Sequence, residues 1–144
     1  RFRRVLAGLP VLPGKLRDPK DAHEALLRAI LKAGPHEYRR VRMIGPEDLV
    51  PALSGYVDRA ELVDAQQDGR IVTRTFDGLI RLGGSHRELV NRVAEQVIGT
   101  DTPAGRIVGV EIDRCDVQEV DRNGMPALRT MVGVRITTRF RLAR

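Results

Sequence analysis

The stretch ALRTMVGVRITTRFRLAR, residues 127–144, alternates strictly. Leu128, Thr130, Val132, Val134, Ile136, Thr138, Phe140 and Leu142 fall on one side, and Arg129, Met131, Gly133, Arg135, Thr137, Arg139 and Arg141 on the other. Period two over this length predicts an antiparallel strand with one face on a core. The preceding GRIVGVEIDRCDVQEV predicts its partner, joined through DRNGMP. A two-residue turn on Asn123-Gly124 sets Val117 opposite Thr130 and Cys115 opposite Val132, but it also sets Asp113 opposite Val134. Val108, Val110 and Ile112 have the other parity, so one extra residue, a β-bulge around Asp113–Cys115, is needed to bring both halves onto the core. That register puts Glu111 opposite Arg135 and Gln118 opposite Arg129. It leaves Arg139 and Arg141 without an acidic cross-strand neighbour.

Helical spacing appears in DPKDAHEALLRAILKAGP. Asp18 suits the cap, Pro19 the first helical position and Gly34-Pro35 the stop, with Ala22, Ala25, Leu26, Ala29, Ile30 and Ala33 as the buried stripe. SHRELVNRVAEQVIG predicts a second helix, with a Ser85–Glu88 capping box, Leu89, Val90, Val93, Ala94, Val97 and Ile98 inward, and Gly99 as the stop. DRAELVDAQQDG has the same grammar in miniature: Asp58 and Glu61 form a capping pair and Gly69 ends a short helix. RIVTRTFDGLIRL predicts two strands joined at Asp77-Gly78. EYRRVRMIG predicts a short strand and PEDLVPALSG a turn. Residues 1–17, broken by Pro10, Pro13 and Gly14, form a basic N-terminal arm, and residues 18–144 a single domain. The expected class is α+β, with helices packed on an antiparallel sheet that has a long C-terminal β-hairpin.

Composition narrows this picture. Aromatic residues make up 3% of the 144 and Trp is absent, so the core must be aliphatic. A single cysteine, Cys115, excludes an internal disulfide, and no apolar run is long enough to span a bilayer. The expected localisation is cytoplasmic. Charge is distributed unevenly. Residues 1–40 hold ten Lys/Arg and four Asp/Glu, residues 41–124 ten and fifteen, and residues 125–144 five Arg and no acid. A chain basic at both ends and acidic in the middle suits nucleic acid at the ends, or self-association of basic on acidic surfaces.

Candidate chemistry is sparse. RLGGSHRE has the outline of an anion-binding turn but neither the lysine nor the spacing of a phosphate loop, so its glycines are read as a tight turn. His23, His36 and His86 have no metal-ligand spacing and are expected at the surface. Cys115 is expected as a small core residue. No catalytic, cofactor or metal site is expected. The candidate contact residues are the arginines Arg135, Arg139 and Arg141, together with Arg39, Arg40 and Arg42 of YRRVRM, facing DNA or an acidic neighbour. Glu61, Asp64 and Asp68, on one face of the short helix, are the candidate docking patch for such arginines.

The order of helix DPKDAHEALLRAILKAG, hairpin RIVTRTFDGLIRL, helix SHRELVNRVAEQVIG and long terminal hairpin resembles the small ring-forming proteins of the head–tail junction and tail end of tailed bacteriophages, the connectors, stoppers and tail terminators. The resemblance implies a homo-oligomeric ring in the virion, without enzymatic activity or cofactor. Its partners would be itself, neighbouring assembly proteins and, non-specifically, DNA; no membrane is implied. The segment GPEDLVPALSGYVDRAELVDAQQDG departs from the simplest form of that pattern. Two alternatives stand beside it: a small basic nucleic-acid-binding module, and a small enzyme drawing on His86, Glu88 and Cys115.

Overall fold

A computed structural model describes residues 8–33, 55–81 and 87–143. The elements are β1 (Val11–Leu12), α1 (Lys20–Ala33), β2 (Val57–Asp68), β3 (Ile71–Ile80), α2 (Arg87–Val97), β4 (Asp101–Thr102), β5 (Gly105–Val120) and β6 (Pro126–Leu142). The expected architecture of helices layered on a sheet is overturned. Among the described residues strand predominates over helix, and the sheet is curled into an antiparallel half-barrel. The strand order is β2-β3-β6-β5-β4, and β1 pairs in parallel with the end of β6 through Val11 and Leu12. Residues 37–54, expected as a short strand and a turn, lie outside the described residues, as do Gly34-Pro35 and Ser85.

Two local misreadings account for the difference. DRAELVDAQQDG is not a helix but the body of β2, paired with β3 from Val57↔Ile80 to Asp68↔Ile71. Its helix-forming Ala, Glu and Gln residues carry a weak intrinsic preference, and a continuous ladder to β3 overrides it. The turn lies at Gly69-Arg70, where Gly69 has φ +61, as the first position of a type II′ hairpin loop requires. Asp77-Gly78 is accordingly not a turn. It sits mid-strand, and Gly78 is there because α1 comes close: a Cβ on Gly78 would meet the His23 ring, at 2.6 Å from its Cδ2.

The terminal hairpin forms with a different loop. Asp121 N–H donates to Met125 O, Gly124 N–H to Asp121 O, and Gly124 has φ +77, giving a three-residue loop with glycine in the left-handed position. The Asp121 Oδ1 accepts from the Asn123 and Met125 N–H groups at 2.8 and 2.9 Å. This longer loop moves the whole register by one residue, pairing Cys115 with Met131 and Val117 with Arg129. The shift brings Val110 and Ile112 onto the core side opposite Ile136 and Val134, so no bulge is needed at Asp113–Cys115. The register shift falls instead at Val108, between Ile107 and Gly109. Gln118 therefore pairs with Leu128, not Arg129, and Arg139 with Arg106. Glu111 does pair with Arg135.

The even-numbered side of β6 and β3 carries the core. Val132, Val134, Ile136, Phe76 and Ile80 are buried against Ala22, Leu26, Leu27 and Ile30 of α1 and Val90, Val93 and Val97 of α2, and Val72 and Phe140 are buried further along the same side. Each such side chain contributes roughly 1.5–3 kcal/mol by leaving water. The described members of both predicted stripes therefore face inward. Asp18 caps α1, its Oδ1 accepting from Lys20 N–H at 2.9 Å, and Gly99, at φ +95, follows α2. Thr138 is admitted to the apolar row because its hydroxyl donates to Ala104 O at 2.9 Å.

Gly78→Ala should cost roughly 1–3 kcal/mol in urea unfolding, because the methyl group must displace a packed ring. In a His23→Ala background the same substitution should be close to neutral.

Candidate functional site

The β2-β3-β6-β5 ladders set the odd-numbered positions of β6 into rows across the sheet. Arg59, Leu79, Gly133 and Asp113 form one row, and Glu61, Asp77, Arg135 and Glu111 the next. Asp64, Thr75, Thr137 and Gly109 follow, then Gln66, Thr73, Arg139 and Arg106, and last Asp68, Ile71 and Arg141. Cross-strand partners share a face, so Arg135, Arg139 and Arg141 lie on the same side of one sheet as Glu61, Asp64 and Asp68. The acidic residues occupy an exposed edge strand, not a helix face. They lie two strands from the arginines, roughly 10 Å away at normal strand spacing. The expectation of two opposed patches is thus replaced by one face with alternating stripes: acidic on β2, neutral on most of β3, basic on β6 and acidic again at Glu111 and Asp113.

Several of these groups are already engaged. The Arg135 guanidinium makes a forked pair with Asp77, Nε to Oδ1 at 2.7 Å and an NH group to Oδ2 at 3.0 Å. That hydrogen bond, ahead of charge alone, holds the Asp77 carboxyl below the usual carboxylate range and raises Arg135. Arg139 Nε donates to Thr73 Oγ1 at 3.2 Å. Arg141 is exposed at the end of the stripe. Arg39, Arg40 and Arg42 lie outside the described residues. Around Gly133, whose missing side chain leaves the floor open, Arg59, Asp77, Glu111, Asp113 and Arg135 line a depression of about 350 Å³. Asp77 and Arg59 were not among the residues singled out from sequence. Reading IVTRTFDGLI as one strand, with Val72 and Phe76 inward, puts Asp77 on the arginine side; the Asp-Gly turn signal concealed it.

Directly behind this face, on the core side, lies His23. It is expected at the surface from sequence, yet it is fully buried. Its Nε2 donates to Val134 O at 3.0 Å, which fixes the tautomer, since a carbonyl only accepts. Nδ1 then carries a lone pair and has no partner among the described residues. Burial is the dominant influence and pushes the His23 pKa below 6.5; the Val134 and Pro19 carbonyls and the charge on Asp77 oppose it without prevailing. His36 and His86 lie outside the described residues.

Chemically, the described residues of the face offer fixed charges of both signs. Among the described residues no three His, Cys, Asp or Glu side chains are grouped to hold a metal, and no helix is long and apolar enough to cross a membrane. Its ordered charges suit recognition of a surface with matching charges.

His23 also sets a pH dependence. A histidine with a lowered folded pKa contributes stability that is complete above its unfolded value of 6.5 and is lost as pH falls through the folded pKa. The melting temperature should therefore drop between pH 7 and pH 5, above the range where ordinary carboxylates titrate. In His23→Gln, which can still donate to Val134 O, that drop should shrink markedly; an unchanged profile would assign it to another group.

No family model, curated protein or solved structure matches the chain.

Proposed function

We propose that the protein is a non-enzymatic assembly component that self-associates, of the kind that forms connector or tail-terminator rings in tailed bacteriophages. The observation that carries this reading is the pair of open sheet edges. Among the described residues, β2 has a strand on one side only along all twelve of its residues, and β5 beyond Gly109 likewise. Unpaired N–H and C=O groups on such edges are a template for another chain. On β2, the acidic residues and the register shifts at Val57/Arg59 and Leu62/Asp64 oppose indiscriminate pairing. They favour a partner of opposite charge, and residues 1–40 of a second copy, with ten basic and four acidic residues, have that composition.

The element order supports the same reading in part: helix α1, helix α2 and the long hairpin β5–β6 keep the places that the resemblance gives them, whereas RIVTRTFDGLIRL is the single strand β3, paired with β2 across the segment that departs from that pattern. Nucleic acid is the weaker fit. A polyanion on the striped face would meet Glu61, Asp64, Glu111 and Asp113 beside the arginines, whereas a protein surface can match both signs.

Solution mass measured by light scattering at low and high salt tests the proposal. A discrete oligomer, loosened by salt, is expected. A monomer at both salts and at high protein concentration would overturn it.

A further inference from the structure

Residues 10–18 form a strap across the end of the sheet, and hydrogen bonds hold it along its length. Pro10 O accepts from Arg141 N–H at 2.8 Å and Leu12 O from Ala143 N–H at 2.9 Å. Gly14 O accepts from an Arg74 NH group at 2.5 Å, and Asp18 caps α1. Between strap and sheet lies a hollow of about 190 Å³. Phe140 and Ala104, both buried, lie beneath it, and Leu12, Pro13, Leu16 and Pro103 form its apolar wall. Because the strap is tied at both ends and in the middle, the hollow is already formed before anything enters it.

Charge around the hollow is one-sided. Lys15, Arg17 and Arg74 are its cations and Asp18 its one acid. Asp18 is already engaged, accepting from Lys20 N–H as the helix cap. Arg81, Arg106 and Arg135 each have an aspartate within ion-pair distance. Lys15, Arg17 and Arg74 have no such partner among the described residues. Arg74 is half-buried and lies over the Phe140 ring, its guanidinium carbon 5.1 Å from the centroid. Burial without an opposite charge lowers its pKa. Gly14 O takes one of its N–H donors, and the planar fork has others that a carboxylate can accept in pairs.

We propose that this hollow binds a small amphipathic monoanion, a carboxylate carried on a single ring or a short branched chain. The apolar body rests on Phe140 and Ala104 against Leu12 and Leu16. The carboxylate supplies the counter-charge that Arg74 lacks, and Lys15 and Arg17 draw it in. Size sets the upper limit. A cavity of roughly 150 Å³ holds one benzene ring, so about 190 Å³ admits a ring with a short arm but no second ring. Charge sets the sign, since an amine would only add to the unpaired cations. Arg74 and Phe140 share the core side of the sheet, opposite the striped face. The site is therefore separate from that face and does not rest on self-association.

Phenylacetate is the probe, titrated into the full chain and followed by amide NMR shifts. Saturable shifts are expected at Leu12, Leu16, Ala104 and Phe140. A ligand of about ten heavy atoms reaches millimolar affinity at ordinary ligand efficiency, so the titration runs to roughly 20 mM. Phenylacetamide, which lacks the charge, and acetate, which lacks the ring, should not saturate in that range. Arg74→Gln, which can still donate to Gly14 O, and Leu16→Asp, at an exposed position, should each weaken phenylacetate binding tenfold or more. Circular dichroism should show both folded; if Arg74→Gln unfolds, the exposed pair Lys15→Gln/Arg17→Gln should still weaken binding severalfold. No saturation with phenylacetate, equal binding of phenylacetamide or acetate, or unchanged binding in the folded variants would overturn the site. None of these results bears on the oligomeric mass, so self-association stands or falls separately.

Discussion

Strand β6 is the reference for the rest of the sheet. β3, β5 and β1 all take their hydrogen bonds and their register from it. In a strand, a slip of one residue moves every side chain to the opposite face. The alternation of Val132, Val134, Ile136, Thr138 and Phe140 with Gly133, Arg135, Thr137 and Arg139 therefore decides which side carries the core and which carries charge. The neighbouring strands comply by local adjustment: a three-residue loop at Arg122–Gly124, a register shift at Val108 and an irregularity in β2 near Val63. The core is thus assembled by counting, with loops and bulges supplying the odd residues.

What could be read from the chain follows from how local each signal is. Period two in β6 and period 3.6 in α1 and α2 depend on burial of one face, and both were legible, down to Leu26, Ile30, Val93 and Val97. The pairing of Glu111 with Arg135 was legible too, because one-residue corrections at different places along a hairpin give the same register beyond them. β2 was not legible. An edge strand exposed on nearly every residue has no burial pattern to betray it, and its composition imitates a capped helix. Gly78 was misread for a related reason: an Asp-Gly pair signals a turn unless a distant group needs the space, and the His23 ring responsible lies fifty-five positions upstream. The relative placement of the charged candidates on β2 and β6 was not legible either, since only the tertiary ladder shows them to be row-mates.

The two faces of β3 are coupled at one point. Asp77 points to the charged face and is held by Arg135, while its neighbour Gly78 accommodates His23 on the core side. The helix is thereby keyed to the sheet next to the depression around Gly133. The sheet can present a rigid array of charges because the opposite side is anchored by a ring too tightly packed to shift without cost.

The order of the strands along the chain differs from their order in the sheet, and this shapes how the molecule forms. β3 precedes β6 in sequence by more than fifty residues, yet β6 is the strand that covers its second edge. During synthesis β3 must wait with that edge unpaired and Val72, Phe76 and Ile80 not yet fully enclosed. Long-range pairings of this kind fold slowly and leave apolar strands open to the wrong neighbour. Through that interval the β2–β3 hairpin has Glu61, Asp64 and Asp68 already in place along its outer strand. The acidic stripe then keeps nascent chains apart by mutual repulsion until β6 arrives to close the sheet.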